Sequence, residues 1–193
     1  MNDDFSKINR YLAGDDHAFD ELVNEHQRWV FEFIIKIVNN PQDAEDLAQD
    51  IFVKVFFNLQ NFRFQAQFKT WLYRIIINQL NNYFKKKKLL SWFNADLNER
   101  DTGDNSNNNK SNSDINLVAK VKKLPKVQRD IVILRIFQDM SFKQVSEILT
   151  ITENSAKVSF YKAKINLKGY IPARLMNMIL ASMAKGSMTE FYA

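Results

Sequence analysis

The sequence predicts an all-α protein of two small helical domains joined by a flexible acidic linker. Three observations carry that expectation. Only four Gly and three Pro occur among 193 residues, so the chain offers few tight turns and leans towards helix. Apolar residues recur at steps of three and four along most of its length, the period of a half-buried helix. One stretch, ADLNERDTGDNSNNNKSNSDIN at residues 95–116, interrupts every period with Asn, Ser, Asp and Gly, and has too few apolar groups to offset its ordering entropy. The boundaries that follow are 1–94 for a first domain, 95–116 for the linker, 117–171 for a second domain and 172–193 for a C-terminal extension.

Within 1–94, Phe5, Ile8, Tyr11 and Leu12 suggest a short helix ended by Gly14. The next helix follows Asp15 and Asp16, either of which can cap it, and turns Phe19, Leu22, Val23, Trp29, Val30, Phe33, Ile34 and Ile37 inward. Asn40-Pro41 places a cap and a first-position proline before a third helix, whose stripe is Ala44, Leu47, Ala48, Ile51, Phe52, Val55 and Phe56. Its other face carries Asp43, Glu45, Asp46, Gln49 and Asp50.

Phe62 to Lys88 joins aromatic rings, amides and a lysine run, the chemistry of a surface for nucleic acid. Phe68, Trp71, Leu72, Ile75, Ile76, Leu80 and Tyr83 fit the inner stripe of a fourth helix, which puts Trp71 and Tyr83 in the core rather than under a base. Phe62, Phe64, Gln65 and Gln67 fall in a loop outside that period. Two phenyl rings there gain little from water, so bases stacked on them offer one cover. Lys85 to Lys88 suit the negative end of the helix dipole and equally suit phosphate.

The net charge of +5 is unevenly spread: residues 117–171 hold 11 basic and 4 acidic groups, residues 95–116 hold 2 and 5, and residues 1–94 balance at 12 each. The basic segment is also punctuated as a helix-turn-helix. Leu124-Pro125 opens a helix with Val127, Ile131, Leu134 and Phe137 inward. Ser141 to Gln144 forms a capping box for a short helix with Val145, Ile148 and Leu149 inward. After the turn Thr150-Ile151-Thr152, Thr152 can cap a third helix with Ala156, Phe160, Ala163 and Leu167 inside. Its lysine-bearing faces suit the major groove. Beyond it, Pro172 can start an amphipathic helix with Leu175, Met176, Ile179, Leu180 and Met183 on one side, either packing on the second domain or offering an adaptable Met-rich surface.

Some chemistry is excluded or disfavoured. The absence of Cys removes disulfides, thiolate zinc sites and thiol nucleophiles. His17 and His26 lack metal-ligand spacing, no catalytic constellation or phosphate-cradling glycine loop is visible, and no metal or cofactor is expected. The first residues lack the layout of a signal peptide and no apolar run is long enough to span a bilayer, so a cytoplasmic protein without stable membrane insertion is expected.

NPQDAEDLAQDIFVKVFFNLQNF, FKTWLYRIIINQLNNY and LPKVQRDIVILRIFQDMSFKQVSEILTITENSAKVSFYKAKINL, in this order, resemble the extracytoplasmic-function sigma factors of bacterial RNA polymerase, over about residues 15–170. The resemblance implies a non-enzymatic initiation factor that binds core polymerase, reads −35 and −10 promoter elements and helps open the duplex. A helix-turn-helix regulator that works without core polymerase is the alternative. Carried over by position, Asp46, Gln49 and Asp50 are expected to meet core polymerase. Asn61, Phe62, Arg63, Phe64, Gln65, Lys69, Tyr73, Arg74, Asn78, Lys85 and Lys86 are expected along single-stranded −10 DNA. Lys157, Ser159, Tyr161, Lys162 and Lys164 are expected on double-stranded −35 DNA. An anti-sigma factor is the further partner implied. The chain departs from the family pattern at Phe64 and Gln65, where small or acidic residues are frequent, and in having Lys where Arg is frequent on the last helix. Thr150 and Asn154 stand where the family often has glycine, which implies altered turn geometry.

Overall fold

The computed structural model describes residues 3–97 and 112–167. All regular structure among them is helical: α1 (Asp3–Leu12), α2 (Asp16–Val38), α3 (Pro41–Asn58), α4 (Phe68–Leu97), α5 (Asn112–Lys123), α6 (Lys126–Val132), α7 (Phe142–Leu149) and α8 (Glu153–Asn166). A 3-10 turn at Leu59–Asn61 precedes α4, and a π turn at Ile133–Phe137 extends α6. The chain divides into two compact units, Met1–Asp101 with Lys143–Ile151, and Thr102–Phe142 with Thr152–Ala193. The linker expected at 95–116 is helical at both ends, since α4 runs to Leu97 and α5 begins at Asn112; its interior, 98–111, and the extension 172–193 lie outside the described residues.

In the first unit α2 packs against α1 and α3, and α3 packs against α4. Ile8, Leu22, Val30, Phe33, Ile34, Ile51, Val55, Phe68, Leu72 and Ile76 form its core. The break after α1 needs Gly14, whose φ of 101° lies where a Cβ is strained. Asp15 occupies the N-cap position of α2 but makes no cap hydrogen bond. Its carboxylate instead accepts from Arg10 Nε at 2.9 Å, a charged donor that outcompetes a backbone amide. Asn40 caps α3 as its sequence predicts, accepting from the Asp43 amide at 3.0 Å with Pro41 in the first turn.

The inner face of α4 is wider than a single stripe. Tyr73 and Ile77 are buried along with Phe68, Leu72, Ile76 and Leu80, while Trp71, Ile75 and Tyr83 are half-buried. The reason is that α4 meets aromatic partners on α2: the Tyr73 ring lies 5.1 Å from Trp29 and 5.8 Å from Phe33.

In the second unit α6 packs against α5 and α8. Ile131 to Arg135 are buried in succession, so the helix is covered on more than one side there, while Val127, expected inside, is 46% exposed. Arg135 donates from Nη1 to the Met140 carbonyl and lies over the Phe142 ring at 4.5 Å. Phe142 in turn meets Phe160 edge-on at 5.6 Å. The turn before α8 places Thr150 at φ 56°, the left-handed region that glycine fills without strain, so Thr150 adopts the conformation a glycine would favour rather than the altered geometry expected there. Thr152 caps α8, its hydroxyl accepting from the Ser155 amide at 3.1 Å.

Candidate nucleic-acid and polymerase interfaces

On α3, Asp46, Gln49 and Asp50 are all exposed and follow one another at helical spacing. Beside them α3 and α4 enclose a groove of ≈ 320 Å³ with Asp43, Asp46 and Asp50 on one wall and Gln79, Asn82 and Lys86 on the other. Asp43 is consumed in structure: it accepts from the Tyr83 hydroxyl at 2.9 Å and pairs with Lys87 at 3.0 Å. Burial first, and the Asp43 carboxylate second, push the Tyr83 phenol well above its usual range. Asp46 carries only an exposed hydrogen bond from Gln42, at 3.2 Å. The same face continues into Val53, 52% exposed, and Phe57, 70% exposed; the period does not single them out, because Val55 and Phe56 complete a plausible inner stripe, although Phe56 is itself 44% exposed.

The loop before α4 corrects one expectation. Phe62 is only 6% exposed. Its ring packs on Phe64 at 4.9 Å, Trp71 at 5.4 Å and Phe5 at 5.9 Å, so the cover that a loop phenyl needs comes from the chain itself. Phe64 lies on the outer side of this cluster, 36% exposed, edge-on to Phe5 at 5.3 Å and with φ 57°, a strained conformation for a bulky residue. Asn61, Arg63 and Gln65 are exposed around it.

Tyr73 is the second correction: it is 5% exposed, and burial pushes its phenol up to about 12, so it supports α4 from within rather than lining a strand path. Lys69 and Asn78 are exposed, Arg74 is half-buried, and Lys85 and Lys86 are exposed near Lys88. Lys69 Nζ lies over the Trp29 ring at 4.9 Å.

On α8, Lys157, Tyr161 and Lys162 are exposed while Ser159 and Lys164 are half-buried. Lys157 pairs with Glu153 at 2.9 Å. Val158 and Ile165, also exposed, share the outer face with Tyr161. A signal for them existed: once Ala156, Phe160, Ala163 and Leu167 are assigned inward, the apolar residues left over fall at steps of three and four on the opposite side.

One cluster resembles a metal site among the described residues: Asp4, Glu25 and His26 place ligand atoms within 4.8 Å of one another. The hydrogen bonds argue against that use. Trp29 Nε1, a donor only, points at His26 Nδ1 at 2.9 Å, which leaves Nε2 to carry the proton and donate to Asp4 Oδ1 at 2.7 Å. Both ring nitrogens are engaged, and Glu25 accepts from Lys7 at 2.6 Å. The arrangement joins α1 to α2.

Two family models match, sigma-70 region 2 over residues 10–89 and sigma-70 region 4 over residues 115–167. The chain belongs to the sigma-70 family, among its extracytoplasmic-function members. This sigma factor is 24% identical over 174 residues to the ECF RNA polymerase sigma factor SigW of Bacillus subtilis, covering 84% of its own length and 93% of that relative. It is 42% identical to the RNA polymerase sigma-H factor of Pseudomonas aeruginosa over 76 residues, 39% of each chain. Among solved structures, CnrH in complex with the cytosolic domain of CnrY aligns over 86% of the sigma factor and 94% of that chain, with TM-score 0.60 and 19% identity, a likeness of fold. The sigma factor of a Bartonella quintana complex, RpoE with the anti-sigma factor NepR, aligns over 82% and 96%, with TM-score 0.56 and 18% identity. Sigma factors are transcription initiation factors, which excludes none of the surfaces above and gives each a role to be tested. No helix among the described residues is long and apolar enough to cross a membrane.

Proposed function

We propose that this alternative sigma factor binds core RNA polymerase through Asp46, Gln49 and Asp50 on α3, engages the single-stranded −10 element with the loop and outer face of α4, and reads the −35 duplex with α8. The observation that carries the reading is the position of these groups. Asp46 and Asp50 of α3, Lys69, Lys85 and Lys86 of α4, and Lys157 and Lys162 of α8 are exposed, away from the packed core. For the −10 element the contacting set is Asn61, Arg63, Phe64, Gln65, Lys69, Arg74, Asn78, Lys85 and Lys86. Phe62 and Tyr73 hold these in place from beneath. Lys157, Ser159, Tyr161, Lys162 and Lys164 form the −35 set. The factor contributes no catalysis of its own and acts where RNA polymerase acts. An anti-sigma factor is its regulator, a partner supported by the complexes in which similar folds were solved.

The test is reconstitution with core polymerase, followed by mapping of transcript starts over genomic DNA; absence of any specific start sinks the reading. Asp50→Ala resolves the docking face. Asp50 is exposed, so the thermal midpoint should stay within about 0.5 kcal/mol of the parent in stability terms. Competition for core polymerase should nevertheless weaken. Unaltered competition rejects α3 as the docking face. Specific DNA binding by a stable dimer that ignores core polymerase would instead support a helix-turn-helix regulator.

A further inference from the structure

The outward side of α8 has an order that its lysine content obscures. The residues farthest from the buried Ala156, Phe160, Ala163 and Leu167 are Asn154, Val158, Tyr161 and Ile165, which succeed one another at steps of four, three and four. Three of these four are apolar, and they are 46%, 61% and 57% exposed in that order. Lys157 lies on one flank of this ridge and Lys162 on the other. The Thr152 cap fixes the first turn, so Asn154 leads the ridge from the end of the helix that in helix-turn-helix proteins contacts base edges.

A lysine-rich helix selected only for phosphate attraction has no use for an aliphatic crest, since exposed Val and Ile lower solubility and contribute nothing to the salt-dependent term. In the major groove one base presents an apolar group, the C5-methyl of thymine. A helix entering that groove puts its crest on the base edges and its flanks near the two phosphate backbones. We propose that α8 reads thymine methyl groups through Val158, Tyr161 and Ile165, with Asn154 available to pair with adenine through N6 and N7, and that Lys157 and Lys162 serve the backbones on either side. This deepens the −35 assignment and rests on it. It predicts a −35 element in which consecutive thymines on one groove face carry the specificity, and guanine readout by a bidentate cation is not what this helix is built for.

The experiment uses the full chain reconstituted with core polymerase. Duplexes are selected from a library randomised in the −35 region, and each thymine of the enriched sequence is then replaced by deoxyuridine, which removes only the methyl. Affinity should fall about fourfold for each contacted methyl, the worth of one buried methylene-sized group. Val158→Ala and Tyr161→Ala should each abolish the deoxyuridine penalty at one position, whereas Lys162→Ala should lower affinity equally on thymine and uracil duplexes. Because the first comparison alters the DNA alone, it stands even if a variant folds poorly. No enrichment of thymine, equal affinity for thymine and uracil duplexes, or a penalty unchanged in both variants overturns the inference. Core binding and transcript starts are measured on the same preparation, so a functional sigma factor indifferent to thymine methyls overturns this inference and leaves the initiation reading intact. Methyl-dependent binding to isolated duplex with no transcript starts does the reverse.

Discussion

The loop before α4 and the outer face of α8 hold aromatic side chains under opposite conditions. In the loop, Phe62 and Phe64 meet edge-on, both touch Phe5 and Phe62 also meets Trp71 edge-on, so a base that is to contact a ring there must displace or slide beside a neighbour already in contact. On α8, Tyr161 stands out from the helix with Val158 and Ile165 beside it and lysines at its flanks. Under the proposed assignments, the first surface would accept a ligand by rearrangement and the second by docking. This difference suits two kinds of DNA. A strand that must be unstacked base by base can exchange one ring contact for another, while an intact duplex meets a rigid face at no reorganisation cost.

The largest effect expected from breaking this contrast is at Phe62. Phe62→Ala removes a buried ring and should destabilise the first unit by about 3 kcal/mol, within the range of phenylalanine truncations. A denaturant midpoint unchanged from the parent would mean that the ring cluster is not a core. Next is Lys162→Ala, which should leave stability unaltered while weakening duplex binding on every sequence and shallowing the salt dependence by about one counterion. A loss confined to one sequence would assign Lys162 to a base rather than to phosphate.

Smaller effects separate strain from recognition. Phe64 and Thr150 both sit at positive φ, at 57° and 56°, but only Phe64 belongs to a proposed contact surface. Thr150→Gly should therefore add about 1 kcal/mol of stability without altering DNA affinity, since it relaxes the turn and leaves the α8 face untouched. A gain in stability accompanied by lost affinity would show that the strained turn aims the helix. The least effect near neutrality is Tyr73→Phe. In the fold the Tyr73 phenol is raised from its ordinary 10.0 to about 12, so the neutral ring favours the folded state. That contribution is fully present below pH 10 and is lost as pH rises through about 12. The variant should lose stability less steeply across that window, followed by circular dichroism; parallel curves would place the alkaline transition elsewhere, with Tyr83 the next candidate.

Most helix positions were legible because caps and period agreed. Asn40-Pro41, Gly14 and Thr152 do what their residue types predict. The linker edges were misread because low apolar content says that a segment cannot fold alone, and says nothing of a helix that propagates outward from a packed neighbour, as α4 does to Leu97. Phe62 and Tyr73 were placed outside for the same underlying reason: the period of one helix does not reveal that partners on α1 and α2 cover two adjacent faces. Val127 went the other way: it is 46% exposed although it lies one helical turn before the buried Ile131. Helical period placed Asp46, Asp50, Lys157 and Lys162 outside the core, as the structure has them, while their proposed roles come only with the family resemblance. The aliphatic crest between those lysines was missed because apolar residues were read first as core.

The cation held over Trp29 has an optical consequence. Indole emission depends on the charges near its ring, and Lys69 Nζ rests 4.9 Å from that ring, on the face of α4 assigned to the −10 strand. If Lys69 turns to a phosphate as proposed, the indole would lose that cation, while the hydrogen bond from its Nε1 to His26 does not involve Lys69. The chain has three tryptophans, so a variant with phenylalanine at positions 71 and 92 would leave Trp29 as the sole emitter. Under the proposed −10 assignment, Trp29 would serve as an unlabelled fluorescent reporter of promoter opening by stopped flow, with no dye on either the protein or the DNA.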